Sequence, residues 1–113
     1  MEARRQFGSF REFYPWYLGE HSQVANRALH FIGTAMVLGG VILAVALRKA
    51  WVLFLVPVVG YGCAWIGHLV FERNKPATFG HPFYSLAADF LMFWHILTGR
   101  IGKKLAEAKQ QSV

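Results

Sequence analysis

The sequence predicts an all-α, integral membrane protein: a helical hairpin of two spans, an N-terminal interfacial helix before it and a third apolar helix after it, four helices in all. Three observations carry this. Hydrophobic residues make up 55% of the 113-residue chain and aromatic residues 16%, more than the usual soluble mix. They fall in long blocks rather than alternating with polar residues. The 12 Lys and Arg gather at the ends of those blocks, where membrane anchors stand. The length suits one domain and is too short for two with separate cores, so a single membrane-embedded domain over 1–113 is expected.

The first element is the segment SFREFYPWYLGEHS, residues 9–22. Ser9 is a fitting N-cap with Glu12 three residues on. Phe10, Phe13, Tyr14, Trp16 and Tyr17 supply a belt of amphipathic rings, so a short helix at headgroup level is predicted, bent at Pro15. The second element, Ala28 to Leu47, has no formal charge over twenty residues and spans about 30 Å as a helix, the thickness of a hydrocarbon core. Ser22 is its expected N-cap. The third, Trp51 to Phe71, is also uncharged, and its Pro57, Gly60, Gly62 and Gly67 are tolerated in membrane helices with satisfied neighbours. Arg48, Lys49 and Ala50 between them leave room only for a hairpin turn. Small residues at four-residue spacing, Ala35 with Gly39, Gly40 with Ala44 and Gly60 with Ala64, favour close approach of the two helices.

The fourth element, Phe83 to Ile101, is apolar except for Asp89, His95 and Arg100, and reads either as a span with a functional interior or as an interfacial helix. If it crosses, the two membrane sides carry six Lys and Arg each. If it does not, ten stand against two, and the positive-inside rule places both termini in the cytoplasm. That asymmetry favours a two-span hairpin. No cleavable signal peptide is expected, because the first apolar block begins late and lacks a small-residue cleavage site. Cys63, the single cysteine, cannot form an intramolecular disulfide and reads as a buried thiol. The net charge of +6 belongs to the anchors. With no recognition module and no basic stripe, nucleic acid is not an expected partner.

The polar residues meet at one end of the hairpin. His30 lies 19 residues before Lys49 and His68 lies 19 after it, so on straight antiparallel helices both stand about 28 Å from the turn. Asn26 and Glu72 are likewise level, each one helical turn beyond its histidine. His21, in the turn before the second element, folds back over this patch, and the segment ERNKPATFGHPF returns His81 to it. Taken singly, each histidine reads as a hydrogen-bonded interfacial residue. Four at one depth beside Glu72 read as a metal site with His21, His30, His68 and His81 as ligands. Neutral imidazoles suit Fe(II), Zn(II) or Cu(II) and leave positions open for chemistry. Five histidines are too few for the membrane di-iron hydroxylases, so a mononuclear site is expected. Glu72, Asn26 and Arg27 are the candidate catalytic residues: Glu72 as a ligand or as the group orienting His68, Arg27 as a holder of a carboxylate. Asp89 needs a cation or hydrogen-bond donors, which Arg27 or Arg73 could supply. His95 reads as a packing residue.

The motif HxxxxNRxxHxxG, carried by HSQVANRALHFIG (21–33), together with GHxxFExNxPATF (67–79) resembles the metabolism-of-phytosphingosine-to-odd-numbered-fatty-acids family, and the likeness covers nearly the whole chain. The resemblance implies an iron(II)-dependent dioxygenase of the endoplasmic reticulum in fungi; this chain departs from the family in being short, a form expected of a bacterial inner-membrane protein. It would take a 2-hydroxy fatty acid or related lipid and dioxygen and shorten the acid by one carbon. It also implies that the motif histidines hold Fe(2+). Three other readings stay open on the residues alone: a haem protein with His30 and His68 as axial ligands, a non-catalytic hairpin or scaffold, and a zinc hydrolase.

Overall fold

Ser9 opens the first helix as its N-cap, its hydroxyl accepting the Glu12 amide at 3.3 Å while the Glu12 carboxylate returns to the Gly8 amide at 2.8 Å. The computed structural model describes residues 7–111, so the counted Arg4 and Arg5 lie outside the described residues. It holds five α-helices and, among the described residues, no strand: α1 (Phe10–Gly19), α2 (Val24–Leu47), α3 (Val52–Ile66), α4 (Pro82–Leu97) and α5 (Ile101–Gln111). Helix α1 runs on through Pro15 for more than a further turn.

Helix α2 starts one residue later than Ser22 predicts, with Gln23 at the N-cap and no cap from its own side chain. The Glu72 carboxylate fills that role from the neighbouring segment, accepting the Gln23 amide at 2.5 Å and the Ser22 hydroxyl at 2.9 Å. Arg48 closes α2 in the left-handed conformation, and the chain turns back into α3. Three tight places set the hairpin: a Cβ on Gly33 would meet Cys63, one on Gly60 would meet Val37, and one on Gly40 would meet Val56. The partners run in opposite chain directions, so the helices are antiparallel. Gly39 faces open space instead. Helix α3 continues as a π-helical turn, Gly67–Glu72, ended by left-handed Arg73.

Two helices are long and apolar enough to cross a membrane, Val24–Leu47 and Val52–Glu72. Much of their apolar surface is uncovered: Ile42 is 69% and Phe54 78% exposed, and soluble monomers rarely leave large continuous apolar patches open. At 16 residues α4 is about 24 Å long, short of a hydrocarbon core. The core proper lies where α1, α4 and α5 meet, around Phe13, Tyr17, Leu18, Ala88, Met92 and Ala108.

The fifth helix corrects the expected four. IGKKLAEAKQQ is too polar to announce itself as a span, yet Gly99, at φ +74°, breaks the chain after α4. Ile101, Leu105 and Ala108 then recur at helical spacing and pack on the core.

Candidate metal centre

His21 stands in the turn between α1 and α2, His30 nearly two turns into α2, and His68 in the π-helical turn after α3. All three are buried, His21 completely and His68 to 2%. Their rings meet edge to face, with centroids 4.4 Å apart for His21 and His30, 4.4 Å for His21 and His68, and 5.0 Å for His30 and His68. The three can offer ligand nitrogens that lie within 4.8 Å of one another. A π-turn widens the backbone spiral, a device frequent at functional sites, and here it carries His68 toward the other two.

The outer nitrogens decide what the inner ones are. His21 Nδ1 lies 2.7 Å from the Tyr17 carbonyl and His30 Nδ1 3.1 Å from the Asn26 carbonyl. A carbonyl only accepts, so both Nδ1 atoms carry hydrogen. His68 Nδ1 lies 2.7 Å from the Asn74 side-chain oxygen. That amide is oriented by its own NH2, which donates to the Glu20 carbonyl at 3.1 Å, so His68 Nδ1 donates as well. In a neutral imidazole the other nitrogen is then a bare lone pair.

Three lone pairs therefore face one centre. His21 Nε2 is 3.1 Å from His30 Nε2 and 3.0 Å from His68 Nε2, with no proton left to bridge either contact. An extra proton would help only on an imidazolium, and burial, then the neighbouring His30 and His68, holds His21 well below its usual pKa. A cation resolves the repulsion. Nitrogens 3.0–3.1 Å apart can share one ion at metal–nitrogen bonds of about 2.0–2.1 Å. Each ring also has the Nδ1–H···O partner that metal-binding histidines use to fix tautomer and orientation. The donor set fits a divalent transition ion and lacks the oxygens that calcium or magnesium requires.

The other sequence-derived residues take different places. His81, expected with these three, caps α4 and points into an aromatic cluster, 5.1 Å from Phe7 and 5.4 Å from Phe13 between ring centroids. Its Nδ1 is buried without a partner. Glu72 does not orient His68. Besides Ser22 and Gln23 it accepts the Asn26 side-chain amide at 3.3 Å, clamping the start of α2 to the end of the π-turn. Asn26, fully buried, thus joins Glu72 to the His30 ring. Arg27 donates to the carbonyls of His21 at 2.7 Å and Ser22 at 3.0 Å, pinning the turn that carries His21. His95 shares a 2.7 Å hydrogen bond with the Tyr14 hydroxyl, tying α4 to α1.

Asp89 is served by neither arginine expected for it; the Tyr17 hydroxyl donates to its carboxylate. Burial raises the Asp89 pKa to about 7, and the Tyr17 bond lowers it by less. Tyr17, whose ring also packs tilted against His21 with centroids 4.1 Å apart, and Asn74 are the site residues that sequence reasoning missed. Asn74 lies within GHxxFExNxPATF (67–79), and an amide beside a turn is its only signal.

The open side of the cluster faces α4. A void of about 10 Å³ lies against His30, His68, Tyr17, Ser85 and Asp89. His30, Ala64 and Asp89 also line a cleft of about 270 Å³ that runs between α2, α3 and α4 past Val37, Val56 and Leu86. The cleft wall is mostly apolar.

Residues 7–101 match the model of a family described as Mpo1-like, 2-hydroxy-palmitic acid dioxygenase Mpo1-like. No curated protein and no solved structure matches the chain.

Proposed function

The chain belongs to the Mpo1-like family, and from that premise we propose that it is an iron(II)-dependent dioxygenase that shortens 2-hydroxy fatty acids by one carbon at a membrane surface. The observation that supports the metal is the meeting of three bare Nε2 lone pairs from His21, His30 and His68. A ferrous ion held by them would supply open coordination positions and the electron transfer that dioxygen chemistry needs. The balance R–CH(OH)–COOH + O2 → R–COOH + CO2 + H2O closes without an outside reductant, since the two substrate carbons release the four electrons that dioxygen takes up.

The chain's own residues bind and orient. Tyr17, Asn26 and Asn74 hold the three rings through their Nδ1 hydrogens. Glu72 and Arg27 are positioning residues that fasten the turn before α2, and His21 with it. The apolar cleft between α2, α3 and α4 receives the alkyl chain, leaving the head beside His30 and the void under Asp89. Burial of the rings keeps bulk water away. His81, packed among aromatic rings, takes no part in holding the ion.

The hairpin crosses the membrane with α1 and α4 at the interface, both termini on the cytoplasmic side, so a lipid-borne acid reaches the cleft directly. A haem between His30 and His68 does not suit this arrangement, because His21 Nε2 stands within 3.1 Å of both facing nitrogens where the macrocycle would lie. The test is anaerobic purification, metal analysis, and oxygen uptake with 2-hydroxy acids. One iron per chain and stoichiometric oxygen consumption are expected. A Soret band, or turnover with zinc alone, would overturn the reading.

A further inference from the structure

Ser85 is 3% exposed and its hydroxyl has no hydrogen-bond partner. Buried hydroxyls are seldom left so, and a helical serine ordinarily bonds the carbonyl four residues back. Here the hydroxyl makes no such bond, and Ser85 lines the void that also touches His30, His68 and Asp89. Asp89 is one helical turn further along α4, on the same face. The wall opposite the histidines therefore offers one free donor and one carboxylate acceptor.

With Asp89 ionised, a substrate carboxylate does not suit that wall, since two carboxylates repel one another. An alcohol does, because it accepts one hydrogen bond and donates another. Resting on the 2-hydroxy acid reading above, we propose that Ser85 and Asp89 read the substrate's 2-hydroxyl, Ser85 donating to it and Asp89 accepting from it, and so select 2-hydroxy acids over unsubstituted fatty acids. An unsubstituted acid would enter the same cleft and leave the Ser85 hydroxyl buried and unpaired. Sites built to bond a hydroxyl discriminate strongly for that reason.

The test measures binding, without turnover. Affinities for 2-hydroxypalmitic and palmitic acid are determined by calorimetry on iron(II)-loaded protein in detergent under anaerobic conditions. The wild type is expected to favour the hydroxy acid by at least about tenfold, and Ser85→Ala to bring the two within about threefold. The change should come from weaker binding of the hydroxy acid, with iron content and palmitic acid affinity unchanged. Ser85→Thr, which keeps a hydroxyl, should retain most of the preference. An undiminished preference in Ser85→Ala overturns this inference alone, as does equal weakening toward both acids, which would mark a packing role. A wild type that holds no iron or prefers neither acid overturns it together with the dioxygenase reading.

Discussion

The two ends of the α2–α3 hairpin are built from the same two helices and answer to different physics. At the histidine end, polar side chains are buried and nearly all are committed: Asn26, His30 and His68 bond to carbonyls, to Glu72 or to Asn74. At the turn end, Ile42, Val45 and Phe54 stand largely exposed. Burial is costly for polar groups and is offset by hydrogen bonds. Exposure of those apolar groups is costly in water and costs nothing in hydrocarbon. On the proposed reading, substitutions at the histidine end should therefore act through the buried polar network and the ion it holds, and those at the turn end only through lipid.

The largest expected effect is loss of the ion. Replacing His21, His30 or His68 by Ala removes one of three nitrogens, so iron content should fall toward zero with activity, measured by elemental analysis and oxygen uptake. His81→Ala should keep its iron, and a His81 variant that lost it would break the assignment of ligands. Next comes Asn74→Ala, which frees the His68 ring from its oxygen partner and should weaken metal affinity by about 10–100-fold, read by competition with a chelator.

How far these positions were legible differs by kind. The level placement of His30 and His68 followed from helical rise and a short turn, which leave little freedom. So did the close packing at Gly40 and Gly60. Counting gives depth but not direction, and so His81, which returns to the same end of the hairpin, was placed with the ligands although its ring enters the cluster of Phe7 and Phe13. Asn74 escaped because its role depends on the left-handed turn at Arg73, at φ 58°, which folds the following residue back under the π-turn. Glu72 was read through its spacing to His68, whereas its carboxylate met the unsatisfied amides at the start of α2. Helix α5 lies beyond the apolar blocks that mark the other elements, and its signal is the amphipathic spacing of Ile101, Leu105 and Ala108, which pack on the core beside α1.

Glu72→Gln sharpens the contrast between ligand and clamp. The clamp's charge is lost but its shape is kept, so stability should fall by about 0.5–2 kcal/mol in a thermal melt, with iron retained. Leu86→Trp, on the α4 wall of the cleft, should shift turnover toward shorter 2-hydroxy acids by several-fold without changing metal content. A metal change there would show that cleft and centre are not separable.

Smaller still is a pH effect at Asp89. Its folded-state pKa of about 7 is raised above the ordinary 3.8, so between those values the folded protein binds the extra proton. Stability must then fall as pH rises from 3.8 towards about 7 and level off above that. Asp89→Asn should flatten that fall in melting temperature measured from pH 5 to 8, and an unchanged slope would remove Asp89 as its source. Ile42→Ala at the turn end should alter neither iron content nor turnover.

The most direct test is X-ray absorption at the iron edge of anaerobically purified protein. One iron per chain is expected, with about three imidazole nitrogens in its inner shell and loss of one imidazole's scattering, or of the iron, in His68→Ala. Iron bound without imidazole scattering, or a spectrum indifferent to His68, would contradict a centre made by these three rings.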